Sequence, residues 1–359
     1  MLLPIAIFVT HVISQEVQGF DIVQFLHKGC YKDQSEYLDL PFKASKNASK
    51  SVKSCVDACT ENYFMYAGLQ NGQYCYCGNS YGRYGPSSDC KTRCSESKSE
   101  ICGGFQANNV YDTKIKVPGP PSDLKLIKSK ENSLKIHWEP PKYAIENFTI
   151  GYVIQVEVND SFDPSHNQNT FSPKIIKMSE ASRMTVILGL KPGSKYNVTV
   201  KAASKEGPGK AVQAFFWTQI GAPVAPDPPV LVQHSHDHHG EIHVQLKGLR
   251  LNKYGPISKY QVLVIDETNP APFTETRVFD YFKAKDQGLN YWAAAEFPSE
   301  EFTRDVRDIE FVVGDNKTYG KYFNFGPLPE GRDFHVTLGV VSTWNGITKV
   351  SFSKAVENY

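Results

Sequence analysis

The most informative absence in this 359-residue chain is cysteine: eight cysteines lie between Cys30 and Cys102, and the last 257 residues have none. Long apolar runs are also missing, since no segment after residue 14 approaches the roughly 20 apolar residues that a membrane-spanning helix needs. The net charge of +1 excludes a global field that would draw the protein to nucleic acid or acidic lipid. These absences predict a small front module held by disulfides and a longer remainder held by buried apolar surface.

The first 14 residues form a candidate secretory leader. Residues 1–13 are almost wholly apolar, and Ser14 supplies a small residue of the kind that signal peptidase reads. This pattern predicts a signal peptide over residues 1–14, although the usual positive charges before the apolar run are missing. The alternative is a buried N-terminal strand.

Five glycosylation sequons support export, at Asn47, Asn147, Asn159, Asn197 and Asn316. The sequence ends at Tyr359 without a hydrophobic tail of the kind that signals a lipid anchor. We therefore expect a secreted, extracellular protein or the ectodomain of a membrane protein.

The spacing of four cysteines predicts a helix cross-linked to a strand. Cys55 and Cys59 are four apart in a predicted helix, and Cys75 and Cys77 are two apart in a predicted strand. Each pair shares one face, with about 6 Å between its members along the element. A helix laid along that strand could make two rungs, either Cys55–Cys75 with Cys59–Cys77 or the crossed pair.

The other four cysteines leave room for two further bridges. Cys94 and Cys102 can close a short loop, which leaves Cys30 for Cys90. A zinc site is the weaker alternative, because zinc sites favour Cys-x2-Cys spacing and often histidine, whereas this segment has only His27 nearby. An even cysteine count behind a secretory leader is typical of a disulfide framework.

Six short segments of this module carry a family resemblance. They lie at residues 29–31, 54–59, 66–70, 75–79, 89–94 and 100–104. Together they resemble a WSC domain, a family named from yeast wall-stress sensors that also occurs in animal surface proteins, over residues 26–113. The resemblance implies a carbohydrate-binding role and the pairs Cys30–Cys90, Cys55–Cys75, Cys59–Cys77 and Cys94–Cys102.

Two tyrosines are the candidate ligand contacts of this module. Sugar binding requires exposed aromatic rings for stacking and polar groups for the hydroxyls. Tyr81 and Tyr84 lie in a Gly- and Asn-containing segment, residues 79–85, that we predict to be a mobile loop with both rings exposed. The alternative is that the many tyrosines of the module fill its small core.

A proline-rich linker at 117–121 opens a segment of short alternating strands. Leu134, Ile136 and Trp138 would share one face of a strand, and Leu190 and Tyr196 have the spacing of a tyrosine corner. Residues 118–219 resemble a fibronectin type III domain. These residues are features of a β-sandwich core rather than of a ligand site.

A second linker precedes a longer β-rich segment over residues 223–355. Four short motifs follow one another in this segment. They are a Gly-Pro-Ile-Ser entry at 255–258, an aromatic-Ala-Ala segment at 291–295, a Val-Gly-Asp turn at 313–315 and a corner at 327–333. They resemble the membrane-proximal fibronectin type III domain of receptor-type tyrosine phosphatases, with a long insert. This resemblance implies ectodomain ancestry, because phosphatase chemistry needs a cysteine thiolate that the segment lacks.

Histidines crowd the stretch before residue 243. On a strand, His234, His236 and His238 would share a face and could hold zinc or copper. We favour a polar linker or turn instead, and therefore expect neither a metal nor a cofactor.

The predicted fold class is multidomain, with a small disulfide-rich α+β module followed by two all-β, immunoglobulin-like sandwiches. We expect a non-enzymatic recognition or adhesion protein whose front module binds an extracellular glycan or glycoprotein, with a cell-surface protein as a further partner and no nucleic acid. The alternative is a protein-binding ectodomain fragment of a receptor tyrosine phosphatase-like membrane protein.

Overall fold

The structure is a computed structural model that describes residues 27–49, 51–143, 148–232, 240–249, 251–268, 278–303, 308–330 and 332–357. The chain divides into two compact units. The first comprises the described parts of residues 1–120, 141–150 and 202–210, and the second those of 121–140, 151–201 and 211–359. Within these described ranges, no helix is long and apolar enough to cross a bilayer.

The first unit contains one α-helix and a five-stranded antiparallel sheet. Its elements are β1 (His27–Lys32), β2 (Phe42–Lys43), a 3-10 helix (Lys46–Ser49), α1 (Val52–Glu61), β3 (Tyr66–Gln70), β4 (Tyr74–Gly78) and β5 (Ala107–Asp112). The strand order is β1-β5-β3-β4-β2. Helix α1 begins where Ser51 and Ser54 bond each other's backbone N–H groups, which satisfies donors that a helix start leaves unpaired.

Disulfides join the helix to the sheet. Cys55–Cys75 and Cys59–Cys77 link α1 to β4 with Cα–Cα distances of 5.6 and 5.4 Å, so the uncrossed rungs form. The other two disulfides are Cys30–Cys90 and Cys94–Cys102, which completes the set of pairs that the WSC resemblance implied. Six of the eight cysteines are fully buried and form much of the core of this small module. The cross-links therefore supply packing as well as connectivity.

The described part of the first sandwich consists of seven strands. They are β6 (Ser122–Lys130), β7 (Ser133–Glu139), β8 (Gly151–Ser161), β9 (Lys174–Ser179), β10 (Met184–Leu188), β11 (Ser194–Ser204) and β12 (Gly207–Trp217). Their sheets have the orders β10-β7-β6 and β12-β11-β8-β9. Alternate residues are buried along β7, β8 and β11, and Trp138 of one sheet meets Tyr152 of the other edge-on at 5.5 Å. The predicted alternation is thus that of a two-sheet core.

The tyrosine corner of this sandwich contains a buried histidine. The Tyr196 hydroxyl accepts the Lys191 N–H at 2.8 Å and lies 2.9 Å from Nε2 of His166. Burial, followed by the Lys191 ammonium, lowers the pKa of His166 against the opposing effect of the Asp163 carboxylate. The folded state therefore favours the neutral imidazole.

This lowered pKa predicts acid sensitivity of the first sandwich. Between the folded pKa and the ordinary value near 6.5, the unfolded chain binds more protons, so stability falls as the pH drops below about 6.5 and levels off below the folded pKa. Denaturant unfolding of the protein at pH 7.5 and pH 5.5 would measure this effect. His166→Gln should reduce the pH dependence in that window, and an unchanged dependence in the variant would contradict the assignment.

In the described residues, the second sandwich comprises twelve strands and helices. They are β13 (Val230–Leu231), β14 (Ile242–Leu246), β15 (Lys259–Asp266), α2 (Tyr281–Asp286), β16 (Tyr291–Pro298), α3 (Glu300–Thr303), β17 (Ile309–Val313), β18 (Thr318–Tyr319), β19 (Tyr322–Phe323), β20 (Phe334–Trp344), β21 (Ile347–Phe352) and β22 (Val356–Glu357). One sheet has the order β13-β14-β17, a second β16-β15-β20-β21 with β22 also on β20, and β18-β19 is a hairpin. Part of the predicted insert is strand β16, whose Val262↔Ala295 pairing with β15 lies in the buried core.

The two sandwiches touch each other within the second unit. Trp217, Trp344 and Phe162 have ring centroids 5.2–5.8 Å apart. Nζ of Lys349 lies 2.5 Å from the Glu131 carboxylate. Aromatic packing of this kind restricts bending at the linker that joins the sandwiches.

Candidate functional site

Two loops of the disulfide-rich module meet at one surface. The first, residues 33–41, joins β1 to β2, and the second, residues 79–86, follows β4. The Tyr84 hydroxyl donates to the Tyr37 carbonyl at 2.6 Å. We refer to Tyr37, Arg83 and Tyr84 as the two-loop surface.

A buried carboxylate fixes the second loop. Asp39 is only 2% exposed, and its carboxylate oxygens accept the N–H groups of Gly82 and Arg83 at 2.8 and 2.9 Å. Gly82 adopts a positive φ of 86°, which suits glycine because it has no Cβ. Charge-assisted bonds of this kind are stronger than bonds between neutral groups, so the loop is held in one conformation.

A second buried carboxylate connects this loop to the sheet. Asp33 accepts the Asp39 N–H at 2.7 Å through one oxygen. Its other oxygen accepts the side-chain amides of Gln70 on β3 and Asn108 on β5, at 2.8 and 2.9 Å. The two-loop surface is therefore supported by a continuous hydrogen-bond network that reaches the centre of the sheet.

Exposure differs among the tyrosines of this region. Tyr81 is half-buried, lies edge-on between Tyr31 at 4.8 Å and Tyr66 at 4.5 Å, and has its pKa raised by burial. Tyr84 is also half-buried, whereas the ring of Tyr37 is 69% exposed. The structure thus departs from the expectation of an exposed Tyr81–Tyr84 pair on a mobile loop, because Asp39 and the neighbouring rings hold the loop.

The sequence reasoning missed Tyr37, Asp33 and Asp39. Phe105 was also missed, and its ring is 78% exposed at the tip of the turn between Gly104 and Ala107. Of these residues, only Phe105 had a local signal in the sequence. It follows Gly103-Gly104, which have no side chains to cover its ring, so exposure of the ring could have been expected. Chemically, the two-loop surface offers an exposed ring and a guanidinium beside a rigid backbone, which suits polar, ring-shaped ligands.

Other candidate residues lie apart from this surface. Asn47, Asn159 and Asn316 are exposed, and Asn197 is half-buried. The predicted signal peptide over residues 1–14, Asn147, His234, His236 and His238 lie outside the described residues. Among those described, the side chains grouped closely enough for a metal ion are Cys55, Cys59 and Cys75, which are in disulfides, and Asp123, His137 and Glu139 on the protein surface.

Comparison with family models matches three parts of the chain. Residues 27–104 match the WSC domain, residues 119–215 the fibronectin type III domain, and residues 227–356 the receptor-type tyrosine-protein phosphatase U Fn3 domain. The three matched segments are a WSC domain followed by two fibronectin type III domains. The predicted fold class and family resemblances are thereby confirmed. Domains of these kinds are binding modules of extracellular, receptor-like ectodomains.

Two curated relatives match different shares of the chain. The putative inactive tyrosine-protein kinase Wsck of Drosophila melanogaster is 28% identical over 363 residues, which is 93% of this chain and 43% of the relative. Xylosyltransferase oxt of the same organism is 38% identical over 91 residues, 24% of this chain and 10% of the relative. The chain thus spans less than half the length of these relatives.

A solved structure also matches part of the chain. The segment of two fibronectin type III domains from chicken tenascin is 14% identical, with a TM-score of 0.28, and the match covers 66% of this chain and 97% of the tenascin segment.

Proposed function

We propose that the protein is a non-catalytic extracellular recognition protein whose WSC domain binds a carbohydrate at the two-loop surface. The observation that carries this proposal is the pair of bonds from Gly82 and Arg83 to the buried Asp39 carboxylate. They hold the loop that carries Arg83 and Tyr84 before any ligand arrives, and the Tyr84 hydroxyl bonds this loop to the Tyr37 carbonyl. A surface ordered in advance loses less conformational freedom on binding, so more of the contact energy becomes affinity.

The side chains of this surface fit a sugar ring. The exposed face of Tyr37 can stack on the apolar face of a pyranose, and Arg83 can donate to its hydroxyls. Tyr81 supports the surface from behind by its contacts with Tyr31 and Tyr66. The predicted signal peptide and the five sequons of the sequence accord with this extracellular role.

Glycan-array binding of the whole protein, followed by titration of the best glycan, tests the proposal. Tyr37→Ala should weaken binding by roughly tenfold through loss of one stacking ring. Asp39→Asn should weaken it by a similar factor, because an amide cannot accept both N–H bonds as strongly as a carboxylate does.

The matched control is Phe282→Ala, which removes an exposed ring from the second fibronectin type III domain and should leave glycan binding unchanged. Native disulfides in each variant, checked on non-reducing gels, exclude misfolding as the cause of a loss. If no glycan binds the whole protein, or if Tyr37→Ala binds as well as the parent, the proposal fails.

A second candidate function is protein recognition by the ectodomain of a receptor-like protein. Two observations favour it: the similarity to the Wsck protein over 93% of this chain, and the match of residues 227–356 to a receptor-phosphatase Fn3 domain. Capture of one cell-surface protein by the parent chain and equally by Tyr37→Ala would support this candidate over glycan recognition.

A further inference from the structure

One face of the first fibronectin type III domain carries a ladder of lysines. Strand pairing places Lys125 opposite His137, Lys128 opposite Lys135, and Lys130 opposite Ser133. On β7, the residues opposite these lysines alternate with the buried Leu134, Ile136 and Trp138, and the three lysines of β6 are exposed, so this face points away from the core. We refer to Lys125, Lys128, Lys130 and Lys135 as the lysine face.

A β-bulge creates this arrangement. Lys125 and Lys128 are three apart, so in a regular strand they would point to opposite faces. The register of β6 against β7 shifts between Leu126 and Lys128, which leaves Ile127 as the extra residue. The bulge therefore turns Lys128 and Lys130 onto the same face as Lys125, in the way that bulges re-aim side chains.

The resulting register places two positively charged side chains directly opposite each other. Side chains directly opposite in an antiparallel pair have Cβ atoms about 5 Å apart, and like charges there are destabilising. Lys128 and Lys135 occupy such a position. An anion bound between the two ammonium groups would remove this repulsion.

One nearby acidic residue pairs with Lys125 of the lysine face, and two others pair with residues outside the lysine face. Asp123 pairs with Lys125 at 2.5 Å, Glu139 contacts His137 at 2.9 Å, and Glu131 pairs with Lys349 at 2.5 Å. In the sequence, residues 119–215 contain 13 lysines and arginines against 9 acidic residues, a net charge of +4 in a chain of net charge +1. The lysine face thus lies in the most basic of the three domains.

We infer that the lysine face binds a sulfated polysaccharide. Its charges repeat at about 4.8 Å between strands and about 6.8 Å along β6, which matches a linear polymer with regularly spaced anionic groups better than a single anion. Each ammonium offers a compact charge with three donors, which suits sulfate and carboxylate oxygens without requiring a planar partner. The lysine face shares no residue with the two-loop surface of the WSC domain.

Heparin, with neutral dextran as its uncharged counterpart, is the probe that tests this inference. The whole protein should bind heparin and not dextran, with affinity falling as salt rises. Lys128→Glu should weaken heparin binding by roughly tenfold or more, because it replaces an attractive charge with a repulsive one. The same change creates a Glu–Lys pair across the strands, so the melting temperature should equal or exceed that of the parent.

This combination of weaker binding and retained stability cannot arise from misfolding. Lys177→Glu, an exposed lysine of the other sheet, is the matched control and should affect heparin binding much less. Tyr37→Ala should bind heparin as the parent does, whatever its effect on the WSC ligand. The inference is overturned if Lys128→Glu binds heparin normally, if Lys177→Glu loses as much, or if the parent binds phosphatidylserine vesicles but not heparin.

Discussion

Replacing Cys30 and Cys90 together by alanine is expected to lower the free energy of unfolding of the WSC domain by about 4 kcal/mol, the largest loss from any one of its disulfides. The two cysteines are 60 residues apart, and a cross-link that closes a longer loop removes more conformational freedom from the unfolded chain. The measurement is denaturant unfolding, monitored through the hydrogen exchange of the backbone amides in β1 to β5.

The matched comparison is the Cys94–Cys102 pair, whose separation is 8 residues. Its removal should cost about 2.5 kcal/mol by the same loop-closure argument. Equal losses from the two double variants, or a greater loss from the shorter loop, would contradict this ranking.

Loss of the Cys30–Cys90 disulfide should also reduce the order of the two-loop surface. The Ser87 N–H donates to the Cys30 carbonyl at 2.9 Å, and the Lys32 N–H donates to the Gly85 carbonyl at 3.0 Å. These bonds hold the chain between Tyr84 and Cys90 against β1. Without the disulfide, this segment would open more often, and the order of the second loop would then depend mainly on Asp39.

The second large effect is expected for Trp138→Ala. Trp138 is fully buried between the sheets of the first sandwich, and truncation of a buried tryptophan typically costs about 3–5 kcal/mol. Its indole Nε1 has no hydrogen-bond partner among the described residues. Trp138→Phe should therefore be much milder, because it removes an unpaired polar group while keeping a ring in place.

Thermal and denaturant unfolding of the whole protein would check both substitutions. Phe215→Ala, which truncates a ring that is half exposed on β12, provides the control and should cost less than about 1 kcal/mol. A loss of less than 1 kcal/mol for Trp138→Ala would mean that the ring does not anchor the core.

Periodicity was sufficient to predict most of the fold. Helix α1 and strand β4 followed from cysteines four and two apart, and β7 followed from alternation ending at Trp138. The direction of the disulfide rungs could not be derived from spacing, because it depends on how α1 runs across the sheet. The bulge at Ile127 was visible only as a break in alternation, whose consequence for Lys128 depends on the pairing with β7.

The candidate site could be predicted less well than the fold, because no sequence pattern distinguishes the exposed tyrosines of this module from the buried ones. Tyr81 is partly covered by Tyr31 and Tyr66, which are distant along the chain, whereas Tyr37 remains exposed at its loop. Asp39 is 43 residues from Gly82, whose N–H it accepts. No local pattern marks a carboxylate that will be buried by such a distant partner.

All four disulfides lie in the WSC domain, so this domain and the two sandwiches are expected to fold by different processes. The sandwiches contain no thiol, so their β-sheets can assemble during synthesis without waiting for an oxidant. The WSC domain emerges from the ribosome before the two sandwiches, yet it depends on thiol oxidation and exchange, which take seconds to hours. The amino-terminal part of this protein is therefore the part whose completion depends on the cell's oxidative folding machinery.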